Sequence, residues 1–473
     1  VFMTWQIENF LEIRDNTLHI DGVDAVELAR EHGSPLFVYS ESRIRHNIER
    51  LSKSAGVIDC PLKICYAAKA MSTLGILRAI KDAGIDIEVN SGGELWKALN
   101  VGFKGEQIIF NGTSKEVWEI ENAITADIYA LQVDSLYELS LIEETAKRLG
   151  KRANVSLRLV PEIETGTHSG LQTALLTSKF GMMPDEAFEA FRQYKDSPNL
   201  DLRGIHLHIG SQNPEPQAYT DAFQMLWETL VRIRKETGIK LGHINLGGGF
   251  PVNYLRDRSH SAEFPREQLE MFSADFEPSD AMNEAWKLVK RIAADSEETD
   301  VLDGITLLLE PGRSIIADAG ICLTTVRNSK TRPIDQSKIQ NPKSEIDTWL
   351  LADAGFNILL SMETYKWYYH LISATRASDE HNIPYKLAGP LCDGGDVYFD
   401  IEGHGRLPDH RLLPNDVQPG EVLALLNCGA YSLAQASQYN GRFLPPVVLI
   451  KENGSAELIR KRETFEDLIA SDV

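Results

Sequence analysis

Between residues 35 and 310 short apolar runs alternate with longer stretches whose apolar positions recur at helical spacing. The strand-like runs lie at 36–39, 64–68, 85–90, 107–110, 128–133, 155–160, 204–208, 243–246 and 305–310. Amphipathic stretches fall between most of them, at 41–54, 72–83, 92–101, 135–149, 184–194 and 218–237. Ser114 and Ser135 are expected N-caps, and Glu138, three residues after Ser135, is expected to complete a capping box. Alternation of this kind predicts parallel strands joined by crossover helices. Leaving out the run at 36–39, eight strands remain, which suits a closed (β/α)8 barrel of the TIM type. A doubly wound sheet is the alternative, but it does not gather eight strand ends around one centre.

After residue 310 the pattern changes. Strand-like runs recur at 321–327, 348–352, 385–389, 422–426, 447–450 and 457–459 without regular helices between them. They predict a mostly β domain, and the opening stretch 17–28 has strand character that could join it. The expected division is a barrel over 35–315 and a β domain built from 1–34 and 316–473. Two polar stretches, 255–279 and 328–345, read as loops or insertions.

In a barrel of this kind the active site lies at the carboxyl ends of the strands. Four such ends carry chemically useful residues: Lys69, His208, the triplet Gly247-Gly248-Gly249, and Glu310 with Arg313. Each alone has an ordinary structural explanation, as a solvated amine, a satisfied imidazole, a turn or an ion pair. Together they suggest one site. An amine beside apolar surface can form a Schiff base with a carbonyl cofactor. A pyridoxal phosphate site needs such a lysine, a phosphate cradle and a group that tunes the ring nitrogen. Glycine lets the backbone N–H groups approach a phosphate closely, and the triplet sits where phosphate sites of these barrels cluster.

Composition narrows the field. The 473 residues are 43% hydrophobic and 25% charged, which is ordinary globular usage. A formal net charge of −21 argues against nucleic acid or an anionic membrane as partner. The five cysteines, Cys60, Cys65, Cys322, Cys392 and Cys428, are scattered, so neither a disulfide frame nor a metal site is expected. No apolar stretch approaches the roughly 20 residues of a membrane helix. No leader is expected, and the protein reads as cytoplasmic.

The motifs in their order resemble the fold-type III pyridoxal-phosphate decarboxylases, specifically the diaminopimelate decarboxylase group. The segments are Tyr66-Ala67-Ala68-Lys69, Ser91-Gly92-Gly93-Glu94-Leu95, Ser178-Lys179-Phe180-Gly181, His206-Leu207-His208-Ile209-Gly210-Ser211-Gln212, Gly247-Gly248-Gly249-Phe250, Glu310-Pro311-Gly312-Arg313-Ser314, Cys392-Asp393-Gly394-Gly395-Asp396 and Gly429-Ala430-Tyr431. The resemblance implies pyridoxal phosphate, an amino-acid substrate and a homodimer with shared active sites. It implies Lys69 as the Schiff-base lysine, His208 against the ring face and Glu310 at the pyridine nitrogen. Ser211, Gly247, Gly248, Gly249, Arg313 and Tyr431 are implied around the phosphate. Cys392 is implied as the acid that reprotonates the substrate carbon, reaching with Asp393 into the partner's site.

Two departures bear on the substrate. The group carries an Arg-Pro pair shortly after its Asp-Ala-Gly segment, and here Asp353-Ala354-Gly355 is followed by Ser361-Met362. The usual Cys-Glu-Ser-Gly-Asp is Cys392-Asp393-Gly394-Gly395-Asp396. An arginine fork is hard to replace as a carboxylate partner. The far end of the substrate is therefore expected to be an amine, met by Asp393, with Ser361, Tyr365 and Arg313 nearby. That expectation, with the segment 387–396, points to a D-lysine or D-ornithine decarboxylase. The alternatives are meso-diaminopimelate decarboxylation to L-lysine, decarboxylation of a conjugated amino acid in siderophore or antibiotic assembly, and a catalytically silent regulatory protein.

Overall fold

The computed structural model describes residues 5–160, 178–256, 260, 263–333 and 346–473. The chain divides into two compact units. One comprises His46–Pro251 and Ala274–Ile315; the other comprises Val1–Arg45, Val252–Ser273 and Ile316–Val473.

The first unit is a closed barrel of eight strands: Leu62–Ala67, Asp86–Val89, Ile108–Phe110, Ala130–Val133, Ala153–Arg158, Leu200–His206, His243–Asn245 and Thr306–Leu309. Neighbouring strands are parallel, and the barrel closes where Leu307 pairs with Leu62. Strands buried on both faces read as apolar runs rather than alternations, which is why Ala130–Val133 is buried along its whole length. At Gly204 the sixth strand admits no side chain, because a Cβ there would stand 2.4 Å from the His243 ring.

Helix ends follow local chemistry. Ser91 Oγ accepts from Glu94 N–H at 3.2 Å and starts the helix Gly92–Val101, which ends at Gly102 in the left-handed region. Ser135 caps Leu136–Leu149 in the same way. Glu138 does not return to Ser135, however. Its carboxylate lies 2.7 Å from the buried Lys115 ammonium, a stronger partner than an N–H at a helix end. Nor does Ser114 cap a helix, since Val117–Thr125 opens at Glu116 with Glu119 in the box.

The second unit is mostly β. Its nine-stranded sheet places Leu36–Ser40 between Gly320–Pro333 and Val447–Ile450, so the run at 36–39 stands outside the barrel. A three-stranded sheet, Leu11–Arg14, Thr17–Ile20 and Val23–Asp24, joins it through a core of Leu18, Ile20, Leu36, Val38, Leu323 and Val448.

Three sequence expectations change here. The opening stretch turns helical at Ala25–His32, because Asp24 accepts from the N–H groups of Val26 and Glu27 and caps it. The expected loop at 255–279 contains the helix Arg266–Ser273 and the start of Pro278–Asp295. The polar stretch after 328 continues the strand Gly320–Pro333, paired antiparallel with Ile346–Ala352. Exposed residues 327–333 give no apolar alternation to reveal it; residues 334–345 lie outside the described ones. Among the described residues no helix is long and apolar enough to cross a membrane.

Candidate active site

A polar layer runs round the barrel near its carboxyl end. It takes Glu88 from the second strand, Asn111 just after the third, Gln132 from the fourth, Arg158 from the fifth, His206 from the sixth, Asn245 from the seventh and Glu310 just after the eighth, all buried. Glu310 is its centre. Asn245 Nδ2 donates to Oε1 at 2.7 Å, Asn111 Nδ2 donates to Oε2 at 2.9 Å, and His206 Nε2 stands 3.4 Å away. Burial works against charge on Glu310, but His206, Asn245 and the Lys69 ammonium outweigh it and hold the carboxyl below the usual range. Glu88 lies across Asn111, whose Nδ2 also donates to Glu88 Oε1 at 2.8 Å. Burial pushes Glu88 up to about 8. The two carboxyls thus divide the roles: Glu310 is charged and Glu88 holds its proton at neutral pH.

Lys69 follows the first strand in a short 3-10 turn, Ala68–Ala70, and is exposed. Its charge acts on Glu88, Glu94, Glu310, His206 and His208, which places the ammonium at this same end of the barrel. His208 lies beyond the sixth strand and is half-buried. Burial, then Lys69 and Arg158, push its imidazole well below its ordinary value, so the ring is neutral. Gly248 N–H donates to His208 Nδ1 at 3.2 Å, which leaves the ring proton on Nε2.

The triplet is built for close approach. Gly247 and Gly249 have φ of +66° and +100°. A Cβ at Gly247 would meet His208 Nδ1 at 2.5 Å, one at Gly248 the Glu310 carbonyl oxygen at 2.4 Å, and one at Gly249 Asn213 Nδ2 at 2.5 Å. Arg313, buried, donates from Nε to Ser211 Oγ at 3.2 Å. The structure therefore brings Lys69, His208, Ser211, Gly247, Gly248, Gly249, Glu310 and Arg313 to one end of one barrel.

The remaining expected residues belong to the second unit. Cys392 is exposed, and its N–H donates to Asn440 Oδ1 at 2.6 Å. Asp393 accepts from Gly395 N–H at 2.9 Å and from the Tyr439 hydroxyl at 3.2 Å. Asp396, buried, accepts from the N–H groups of Leu391 and Phe356, both at 2.8 Å, and so ties this loop to the segment after Asp353. Ser361 is 5% exposed, and its hydroxyl lies 3.4 Å from the Tyr431 carbonyl and 3.3 Å from Gln435 Oε1. Tyr365 N–H donates to the Ser361 carbonyl at 3.0 Å.

Sequence reasoning missed Glu88, Asn111, Arg158 and Asn245. Their signal was a polar residue inside or just beyond an otherwise apolar strand. It becomes legible only once the barrel aligns those strands.

Residues 41–317 match the pyridoxal-binding domain of the pyridoxal-dependent decarboxylases. The chain belongs to this family. A diaminopimelate decarboxylase of Methanocaldococcus jannaschii is 34% identical over 98% of this chain and 96% of its own length. One of Bacillus subtilis is 31% identical over 96% and 95%. The crystal structure of the M. jannaschii enzyme in co-complex with L-lysine superposes with a TM-score of 0.81, at 32% identity and 98% coverage of both chains.

The protein is accordingly a pyridoxal-phosphate-dependent decarboxylase, and the barrel residues fit that cofactor. A Cβ at any of the three glycines would collide with the chain itself, so only glycine sets this backbone at the barrel mouth. Glu88 Oε2, Asn111 Oδ1 and both Gln132 side-chain polar atoms are buried without a hydrogen-bond partner among the described residues. A charged carboxylate set among such groups suits a protonated ring nitrogen.

The comparisons overturn the expectation of a D-lysine or D-ornithine substrate, since relatives 31–34% identical over nearly the whole chain are diaminopimelate decarboxylases. The physical reason lies at Ser361. Its hydroxyl is buried against Tyr431 and Gln435, so the change from arginine reports local repacking and does not mark a vacated pocket.

Proposed function

We propose that the protein decarboxylates meso-diaminopimelate to L-lysine. The observation that carries this reading is the identity to diaminopimelate decarboxylases along almost the entire chain, second unit included. Pyridoxal phosphate, when bound, supplies a carbonyl for the substrate amine and an electron-withdrawing ring for the electron pair that CO2 leaves behind.

The chain's own residues do the rest. Lys69 would hold the cofactor through its carbonyl. Glu310, kept ionised, would hold a proton at the cofactor's ring nitrogen. His208, neutral and oriented by Gly248, would lie beside the cofactor ring. Ser211, Gly247, Gly248, Gly249 and Arg313 would hold the cofactor's phosphate. Cys392 returns a proton to the substrate carbon that lost CO2. The exposure of Cys392 and Asp393 supports a homodimer in which this loop enters the partner's site. Arg313, whose guanidinium fork suits a carboxylate, would meet the distal carboxylate in place of the missing arginine.

The test is CO2 release by the cofactor-loaded protein from meso-diaminopimelate, beside the L,L and D,D isomers and both enantiomers of lysine and ornithine. Release from the meso isomer, lost in Lys69→Ala together with borohydride fixation of the cofactor, is the expected result. Release only from substrates lacking a second carboxylate overturns the substrate.

A further inference from the structure

The second unit contains a cavity of about 490 Å³ lined by three arginines, Arg327, Arg442 and Arg462. A single carboxylate, Asp353, lines it with them. Asp353 is already saturated: it accepts from Ser34 Oγ at 2.6 Å, Thr324 Oγ1 at 2.8 Å, Thr325 N–H at 3.0 Å and Arg327 Nε at 2.9 Å. It neutralises Arg327, whose Nη2 lies 2.8 Å away.

Arg442 and Arg462 are different. Among the described residues neither has a carboxylate within 4 Å. Their side-chain hydrogen bonds go to carbonyls, from Arg442 Nη2 to Pro390 O and from Arg462 Nη2 to Pro35 O, both at 2.9 Å. A carbonyl accepts one N–H but cancels no charge, and a guanidinium carries five donors. Arg462 is half-buried, and burial together with the Arg327 charge lowers its pKa although Asp353 opposes the shift. In a chain of net charge −21, two guanidiniums lining one cavity without a carboxylate in direct contact stand out. The neighbouring wall is apolar: Phe443 and Phe465 meet edge to face at 5.0 Å, and Phe465 is 75% exposed.

We infer that this cavity binds an organic dianion, a phosphate monoester or a dicarboxylate, whose apolar part lies on Phe443 and Phe465. Two guanidinium forks match two oxyanion charges or one doubly charged group, and the Phe pair offers apolar surface beside them. The lining also includes Asn357 and Pro390, four residues before Ser361 and two before Cys392, so a ligand here braces the two segments assigned to the substrate. The inference stands apart from the substrate proposed above.

The experiment is calorimetric titration of the holoenzyme, whose own phosphate cradle is then filled, with phenyl phosphate, phthalate and inorganic phosphate, and benzyl alcohol as the neutral control. Saturable binding of phenyl phosphate or phthalate is expected, weaker for inorganic phosphate and absent for the alcohol. Arg442→Gln should weaken binding about tenfold or more, as loss of a charge-assisted hydrogen bond requires, with kcat unchanged. Arg442 is exposed, so this variant folds; Arg442→Gln/Arg462→Gln should abolish binding. The tighter of the two aromatic ligands assigns the dianion class. No saturable binding, equal affinity in Arg442→Gln, or inhibition purely competitive with substrate overturns the inference.

Discussion

Replacing Glu310 by Gln removes the central charge of the barrel site while keeping its shape. Both carboxylate oxygens accept from amide N–H groups, Asn245 Nδ2 at 2.7 Å and Asn111 Nδ2 at 2.9 Å, so the new amide must face one of them with a donor. Asn245 cannot turn over, because its oxygen accepts from Gly247 N–H at 2.9 Å. Asn111 can: its oxygen has no partner among the described residues. After turning, that oxygen accepts from the introduced amide and from Glu88, which holds its proton up to about pH 8. Both Asn111 Nδ2 donors then point where no partner stands among the described residues, a loss on the order of 1–3 kcal/mol of stability for each. The catalytic loss is separate. A hydrogen bond to a charged group contributes about 1.5–3 kcal/mol, and each 1.4 kcal/mol is tenfold, so kcat should fall by roughly 10- to 150-fold. Initial rates of CO2 release measure it, and the absorbance of bound cofactor and borohydride fixation to Lys69 show that the site is still loaded. A loaded variant with kcat within twofold of the parent refutes the role given to Glu310.

Gly249→Ala puts a Cβ 2.5 Å from Asn213 Nδ2 and 2.7 Å from the Gly210 carbonyl oxygen at a φ of +100°; cofactor Kd from spectrophotometric titration should rise at least about tenfold, as expected when phosphate hydrogen bonds are lost, and an unchanged Kd would show that the triplet is only a turn. Cys392→Ala should slow CO2 release or divert it to a carbonyl product, read by product chromatography; unchanged rate and product would remove the thiol from the proton transfer. Burial holds His243 down at about 3, so on acidification the unfolded chain takes up a proton near pH 6.5 while the folded one does not. Stability is therefore lost as pH falls below about 6.5, on the order of 2 kcal/mol by pH 5. His243→Leu should flatten the pH dependence of urea unfolding over that window by this amount, and an identical slope would place the titration elsewhere.

The eight barrel strands and most of their helices were legible because the patterns that specify them are local. A strand buried on both faces shows as an apolar run, a helix shows as a 3.6-residue period, and Ser91 and Ser135 reach backbone N–H groups three residues on. The strand ends at Lys69, His208, Gly247 and Glu310 followed from the barrel itself. Where local signals conflicted the reading failed. Val26 and Leu28 lay in a stretch with strand character, yet the Asp24 cap made a helix. The arm 327–333 had no buried face to announce it.

The sequence by itself determined the element types, the barrel and the chemical inventory of its mouth. Tertiary structure alone decided which of those groups meet and therefore what charge each one carries. Glu88 and Glu310 are both carboxyls in apolar company along the chain. One keeps its proton and the other loses it because Asn111, Asn245, His206 and Lys69 converge from the ends of other strands. The same holds for Leu36–Ser40, which joins Val447–Ile450 from the far end of the chain, and for Arg442 and Arg462, which share one cavity. Propensity acts between neighbours along the chain. Desolvation and Coulomb interaction act through space, between residues whose separation in sequence carries no information about their distance.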